Sequence, residues 1–127
     1  MLLLKRKSRI LLLDDDVAIQ KLVGLLLKRA GHRVDVVGKG NDAIHAIEAN
    51  QYDALLLDLM MPTEGGMTVM KHLKEKNPQL LKRVILLTAT PAGVLNTVRN
   101  DVAAIVHKPF EPDELLSAID RLGSAEE

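Results

Sequence analysis

The sequence predicts an α/β fold: a doubly wound, five-stranded parallel sheet of flavodoxin-like (βα)5 topology, with strand order 2-1-3-4-5. Two observations carry this. Short apolar runs alternate five times with stretches of helical periodicity, and strands separated by helices pair in parallel. Runs such as Leu55-Leu56-Leu57 are apolar without interruption, which suits strands covered on both faces.

The elements follow in order. Arg9 to Leu13 is the first apolar run, and it ends in acid. Ile19, Leu22, Val23, Leu26 and Ala30 then recur at helical spacing with Lys21, Lys28 and Arg29 between them. Gly31 is placed to stop that helix as its C′ residue. Arg33 to Val37 is β-rich, and Asp42 to Ala49 reads as a short helix with Ile44 and Ile47 inward. Ala54 to Leu57 is a strand that meets Asp58. Met60 to Gly66 holds Pro62, Gly65 and Gly66 and is a loop. Met67 to Lys76 is helical, and Asn77-Pro78 ends it. Val84 to Leu87 is the fourth strand, ending at Thr88. Pro91 to Asn100 is a weak, short helix, and Ala103 to Val106 is the fifth strand. Pro112 to Leu122 is the last helix, with Pro in its first turn beside Asp113 and Glu114. The expected organisation is a disordered basic lead-in over residues 1–8, one domain over 9–122 and a polar tail over 123–127.

Composition narrows the function. The chain has 127 residues, which suits a single domain. Its apolar residues are aliphatic, with one Phe, one Tyr and no Trp, so Leu, Ile, Val and Met must fill the core. The 17 basic and 17 acidic residues cancel, which argues against direct nucleic-acid binding. There is no Cys, so disulfides and thiolate metal sites are excluded. The segment Met1 to Lys7 puts its charge after its apolar residues and does not read as a signal peptide. No run approaches the roughly 20 apolar residues that span a bilayer. These features point to a cytoplasmic protein with no membrane association.

In such a sheet, ligands sit beyond the carboxyl ends of the strands, near the switch in strand order. The residues there are Asp14-Asp15-Asp16 after the first strand, Asp58 after the third, Thr88 after the fourth and Lys108 after the fifth. The first and third strands are neighbours, so their acids converge. Converging carboxylates repel unless a positive partner intervenes. Mg²⁺ is such a partner, a hard cation that takes carboxylate oxygens and tolerates phosphate as a ligand. A hydroxyl and an ammonium, Thr88 and Lys108, can each bond a phosphoryl oxygen. Each residue also has a plainer reading. The acid triplet could be a solvated helix start with Asp16 as its cap. Asp58 could accept loop N–H groups, Thr88 could cap a turn, and Lys108 could be exposed before Pro109. The combination is more specific than any member. Nucleotide-binding glycine loops, a G-x-S-x-G turn and a Cys nucleophile are missing from the sequence. His32, His45, His72 and His107 lack metal-ligand spacing and read as solvated surface residues.

Four motifs together resemble those of response-regulator receiver domains, from about Arg9 to Leu122. They are Ile10-Leu11-Leu12-Leu13-Asp14-Asp15-Asp16, Leu57-Asp58-Leu59-Met60-Met61-Pro62 running to Gly65-Gly66, Leu87-Thr88-Ala89, and His107-Lys108-Pro109-Phe110. The resemblance implies a two-component or phosphorelay switch that forms an aspartyl phosphate on Asp58 with Mg²⁺. It implies Asp15 as a direct metal ligand, Asp14 as a ligand through water, and Asp58 and the Met60 backbone carbonyl as further ligands. It implies Thr88 and Lys108 as partners of the phosphoryl group, and a cis bond before Pro109. Its implied partners are a histidine kinase or phosphotransfer protein and a downstream or fused effector, with dimerisation on phosphorylation. It would catalyse its own phosphorylation and dephosphorylation without turning over a separate substrate. Met60 and Thr90 would flank the path of the water that hydrolyses the phosphoryl group.

Two departures from the family stand out. Ile105 occupies the place where an aromatic residue is usual, and the stretch from Thr88 to Lys108 is short. Two other readings compete. One is an interaction module of the same fold that is not phosphorylated; the intact Asp14, Asp15, Asp58, Thr88 and Lys108 count against it. The other is a Mg²⁺-dependent phosphohydrolase with an Asp nucleophile, which would want a second acid where Met60 stands.

Overall fold

The computed structural model describes residues 7–62 and 64–125. Five parallel strands form one sheet in the order β2-β1-β3-β4-β5. They are β1 (Arg9–Leu13), β2 (Arg33–Val37), β3 (Ala54–Leu57), β4 (Val84–Thr88) and β5 (Ala104–His107). The helices are α1 (Val17–Arg29), α2 (Gly40–Ala49), α3 (Gly66–Lys76), α4 (Ala92–Leu95) and α5 (Pro112–Ala125). The predicted fold class and strand order hold.

The alternation of side chains along each strand makes two apolar layers. Leu11, Leu13, Leu55, Leu57 and Leu86 face α2, α3 and α4, where Ala43, Val69, Leu73 and Leu95 meet them. Ile10, Leu12, Leu56, Ile85 and Leu87 face α1 and α5, where Val23, Leu27, Leu115 and Ile119 meet them. The long aliphatic runs thus serve both faces of central strands, and every residue of β3 and β4 is buried.

Local chemistry fixes the helix ends. Asp16 caps α1, its side chain accepting from the Ala18 N–H at 2.8 Å. Gly31 follows the C-cap Ala30 with φ of 92°, a conformation that L side chains rarely adopt. Lys28 and Arg29 lie in the last turn, where the helix dipole favours cations.

The register decides where the site lies. Leu13 pairs with Leu57, so Asp14 and Asp58 leave adjacent strands side by side. Leu57 pairs with Leu86, and Thr88 pairs with His107, so Thr88 and Lys108 emerge at the same edge.

Several expectations need correction. The predicted helix over Pro91–Asn100 is only Ala92–Leu95, followed by turns. There the backbone bonds drift to i−3 partners, and the Thr97 hydroxyl donates to the Val94 carbonyl at 2.7 Å, drawing on an acceptor that a continuing helix would use. A 3-10 helix over Pro78–Arg83 was not anticipated. The fifth strand lies one residue later than expected. Residues 123–125, expected in a polar tail, continue α5. The expected lead-in falls outside the described residues for positions 1–6. Ser8 is not part of a disordered segment: its N–H donates to His32 Nδ1 at 3.1 Å and its carbonyl accepts from Arg33. His32 is accordingly buried, not a solvated surface residue. Among the described residues, no helix is long and apolar enough to cross a membrane.

Candidate functional site

The carboxyl edge of the sheet collects Asp14, Asp15, Asp58, Thr88 and Lys108. Asp14 and Asp58 are fixed by the ends of β1 and β3. Asp14 is fully buried and Asp58 nearly so, while Asp15 is exposed at the mouth. One carboxylate oxygen from each of the three lies within 4.8 Å of the others. An all-oxygen, all-carboxylate donor set of this kind fits a hard divalent cation.

Lys108 reaches across from the end of β5. Its Nζ donates to Asp14 Oδ2 at 2.5 Å and to Asp58 Oδ2 at 3.2 Å. The backbone holds it there, the Lys108 N–H donating to the Thr88 carbonyl at 3.0 Å. The peptide bond from Lys108 to Pro109 is cis. The sequence resemblance gives Lys108 as a partner of the phosphoryl group; its contacts to the two carboxylates, the tighter one to Asp14, come from the structure.

The other oxygen of Asp58 has its own donors. Oδ1 accepts from the Thr88 hydroxyl at 2.9 Å and from the Met60 N–H at 3.0 Å. Asp14 Oδ1 accepts from the Asp16 N–H at 2.9 Å, and its carbonyl accepts from Gln20 Nε2 at 2.6 Å. Gly66 braces the end of β3. Its N–H donates to the Asp58 carbonyl at 2.7 Å, and a Cβ there would stand 2.6 Å from that oxygen.

Burial and charge oppose each other here. Burial pushes the Asp14 carboxyl above its ordinary range, with the nearby Asp58 charge adding to the shift; the Lys108 hydrogen bond and charge and the Asp16 amide only partly offset it. Burial alone would lower the Lys108 ammonium, but the hydrogen bonds and charges of Asp14 and Asp58 outweigh it and raise the group above its ordinary value.

Met60 is 56% exposed, on the rim. Thr90, expected beside it, is instead 4% exposed, with its hydroxyl 2.7 Å from that of Thr88. A signal for this was available, because residues i and i+2 at a strand end share a face. Ile105 is half-buried and packs against the layer that includes Leu95 and Val98. Gln20 gave no sequence signal; only the return of α1 over β1 brings it to Asp14.

Comparison with known proteins agrees with this geometry. The profile of the response regulator receiver domain matches residues 10–120. The transcriptional regulatory protein DltR of Streptococcus agalactiae is 34% identical over 113 residues, covering 87% of this chain and 50% of that protein. ResD of Bacillus subtilis, another transcriptional regulatory protein, is 34% identical over 120 residues, covering 91% of this chain and 48% of that one. The chain thus spans about half the length of these curated relatives. Among solved structures, the response regulator TrrA of Thermotoga maritima, in complex with Mg²⁺ and BeF, is 30% identical with a TM-score of 0.80, over 92% of this chain and 99% of that one. The receiver domain of a Pseudomonas aeruginosa sensor histidine kinase, with magnesium in its active-site cleft, is 26% identical with a TM-score of 0.82, over 93% and 99%. By sequence profile, by relatives and by fold, the chain belongs to the response regulator receiver domain family.

Proposed function

We propose that this receiver domain is a signalling switch that accepts a phosphoryl group on Asp58, with Mg²⁺, from the phosphohistidine of a sensor kinase or phosphotransfer protein. One observation carries the reading. Asp58 is buried at a strand end between a carboxylate cluster able to hold a cation and an ammonium bonded to two of its acids.

The residues divide the work. Asp14, Asp15, Asp58 and the Met60 backbone carbonyl would hold Mg²⁺, and bound there it supplies positive charge against the phosphoryl oxygens. An Asp58 oxygen forms the new bond to phosphorus as the donor's P–N bond breaks. The electron pair of that bond stays on the donor imidazole, which takes up a proton. The transfer asks for positioning and charge neutralisation more than for covalent machinery. Lys108 releases Asp58 and turns to a phosphoryl oxygen, and the Thr88 hydroxyl meets another. The same site then governs loss of the group to water. The chain therefore acts on itself and has no separate substrate to turn over.

The relatives' names give the wider setting. DltR and ResD are transcriptional regulators about twice this chain's length, which supports a downstream effector, fused or separate, that reads the phosphorylated surface. Dimerisation on phosphorylation belongs to this reading, as does work in the cytoplasm beside the kinase.

Intact mass after acetyl phosphate treatment tests the proposal. Wild type should gain one phosphoryl group only with Mg²⁺ present, and Asp58→Asn should gain none. Full phosphorylation of Asp58→Asn would defeat it.

A further inference from the structure

The hydrogen bonds around Thr88 run in one direction. A carboxylate oxygen only accepts, so the single hydroxyl proton of Thr88 is committed to Asp58 Oδ1 at 2.9 Å. The contact between the Thr88 and Thr90 hydroxyls, 2.7 Å, must then be a donation from Thr90 to Thr88. The Thr90 N–H points at the same oxygen from 3.3 Å. Thr88 Oγ1 thus gives one hydrogen bond and receives two, the full capacity of a hydroxyl. Both residues are buried, so water is not at hand to substitute.

This matters because threonine is nearly symmetric in shape. Its hydroxyl and methyl are of similar size, and packing alone discriminates poorly between rotamers that exchange them. Hydrogen bonds decide which group faces the site. The backbone of Thr88 is already fixed by its pairing with His107 and by the Lys108 N–H. The remaining freedom is the side-chain torsion, and Thr90 acts on that.

We propose that Thr90 is a positioning residue: by donating to Thr88 Oγ1, its buried hydroxyl holds the Thr88 proton on Asp58, so the hydroxyl stands ready for an incoming phosphoryl oxygen before transfer. The proposal rests on Asp58 being the acceptor. It differs from a merely structural role, in which Thr90 does no more than satisfy itself in the interior and any residue of its volume would serve.

The test uses the full chain, acetyl phosphate as donor and saturating Mg²⁺. Thr90→Val keeps the volume and removes the hydroxyl donor, leaving only the longer N–H contact; it should slow phosphorylation roughly threefold to tenfold, the worth of one net hydrogen bond. Thr90→Ser keeps the hydroxyl and should restore the rate. Mg²⁺ affinity should not move in either. In a Thr88→Val background, adding Thr90→Val should change nothing further, because its target is gone. Separately, three-bond NMR couplings should find Thr88 in a single χ1 rotamer in the unphosphorylated wild type and averaging in Thr90→Val. The idea is overturned by an unslowed Thr90→Val, by a Thr90→Ser as slow as Val, by a slowing that persists without the Thr88 hydroxyl, or by an averaged Thr88 in wild type. If wild type takes no phosphoryl group at all, the functional reading fails, and the couplings still decide whether Thr90 orients Thr88.

Discussion

Replacing Lys108 by Met removes one ammonium from between two buried carboxylates. The side chains of Lys108, Asp14 and Asp58 are 17%, 1% and 5% exposed, so solvent screens the lost contacts poorly. Deleting one partner of a buried ion pair costs about 3–5 kcal/mol, because the remaining charge stays buried without compensation. Asp15 opens the mouth of the cluster to water, which puts the expectation near the low end, about 3 kcal/mol. That is a large part of the roughly 5–15 kcal/mol that holds a domain of this kind together. The pH dependence has a definite sign. In the fold, the Asp14 carboxyl lies above its ordinary 3.8, so folding favours its protonated form. Its contribution is fully present below pH 3.8 and is lost as pH rises through the raised value. Removing Lys108 raises that value further, since a hydrogen bond and a charge that oppose the shift both disappear. The ammonium itself is raised above 10.5, so its own contribution in wild type is constant below that pH. The loss in Lys108→Met should therefore be greatest at neutral pH and shrink as pH falls from 7.5 to 5. Urea unfolding of both proteins in EDTA at the two pH values measures it. A difference below about 1 kcal/mol at pH 7.5, or one that grows on acidification, would refute the reasoning.

The other expectations concern separate parts of the chain. Gly66→Ala puts a Cβ 2.6 Å from the Asp58 carbonyl oxygen and should lower stability by about 2–3 kcal/mol in urea unfolding, whereas Gly24→Ala, in α1 with nothing within 4 Å, should raise it by about 0.5–1 kcal/mol. Tyr52 donates to Asp35 Oδ2 at 2.7 Å, and Tyr52→Phe should cost about 1 kcal/mol at neutral pH. Burial and that bond push the phenol up to about 12 from 10.0, so its stabilisation is complete below pH 10 and fades toward about 12; unfolding followed over that range should show the extra alkaline loss in wild type and not in the Phe variant. Mg²⁺ titration should find Asp15→Asn weakened roughly tenfold and Asp16→Asn little changed, because the Asp16 side chain is engaged as the α1 cap. Met60 is exposed on the rim and offers water no polar side-chain group, so Met60→Asn should hydrolyse its phosphoryl group several-fold faster and Met60→Leu at nearly the wild-type rate; equal decay in all three would remove Met60 from control of water access.

The fold was legible because period and length did the work together. Uninterrupted apolar runs of four or five residues between helical stretches leave few topologies besides a covered parallel sheet, and all five strand spans lie at or within one residue of their expected ends. The first three strands agree residue for residue. The site was legible for a related reason: its residues are those that immediately follow strands, so locating the strands located the acids. What escaped detection depended on contacts between distant segments. His32 looks like a surface residue until the Ser8 N–H is seen to occupy its Nδ1. The shortening of α4 goes with a hydroxyl beyond its end, that of Thr97, which bonds back to the Val94 carbonyl. The 3-10 helix at Pro78–Arg83 begins at the proline that was read only as a stop. Neither the Lys108 bond to Asp14 nor the Thr90 bond to Thr88 has a sequence signature of its own.

Ile105 gives these last contacts their weight. A β-branched aliphatic side chain is stiff at χ1 and carries no hydrogen-bonding group. Ile105 is half-buried against the layer that contains Leu95 and Val98, the residues that anchor α4 and the turns after it. A swing of this side chain between two positions would have to displace that packing, and Ile has no polar group to gain a hydrogen bond by it. Thr88, by contrast, is tied by hydrogen bonds to Asp58 on one side and to Thr90 on the other. Thr90 directly precedes Pro91, the N-cap of α4. A pull on the Thr88 hydroxyl therefore reaches α4 through two covalent steps and one hydrogen bond, and this route needs no aromatic residue on β5. The four-residue α4 makes that end of the route easy to move, because so short a helix has little internal hydrogen bonding to resist a shift of its first turn.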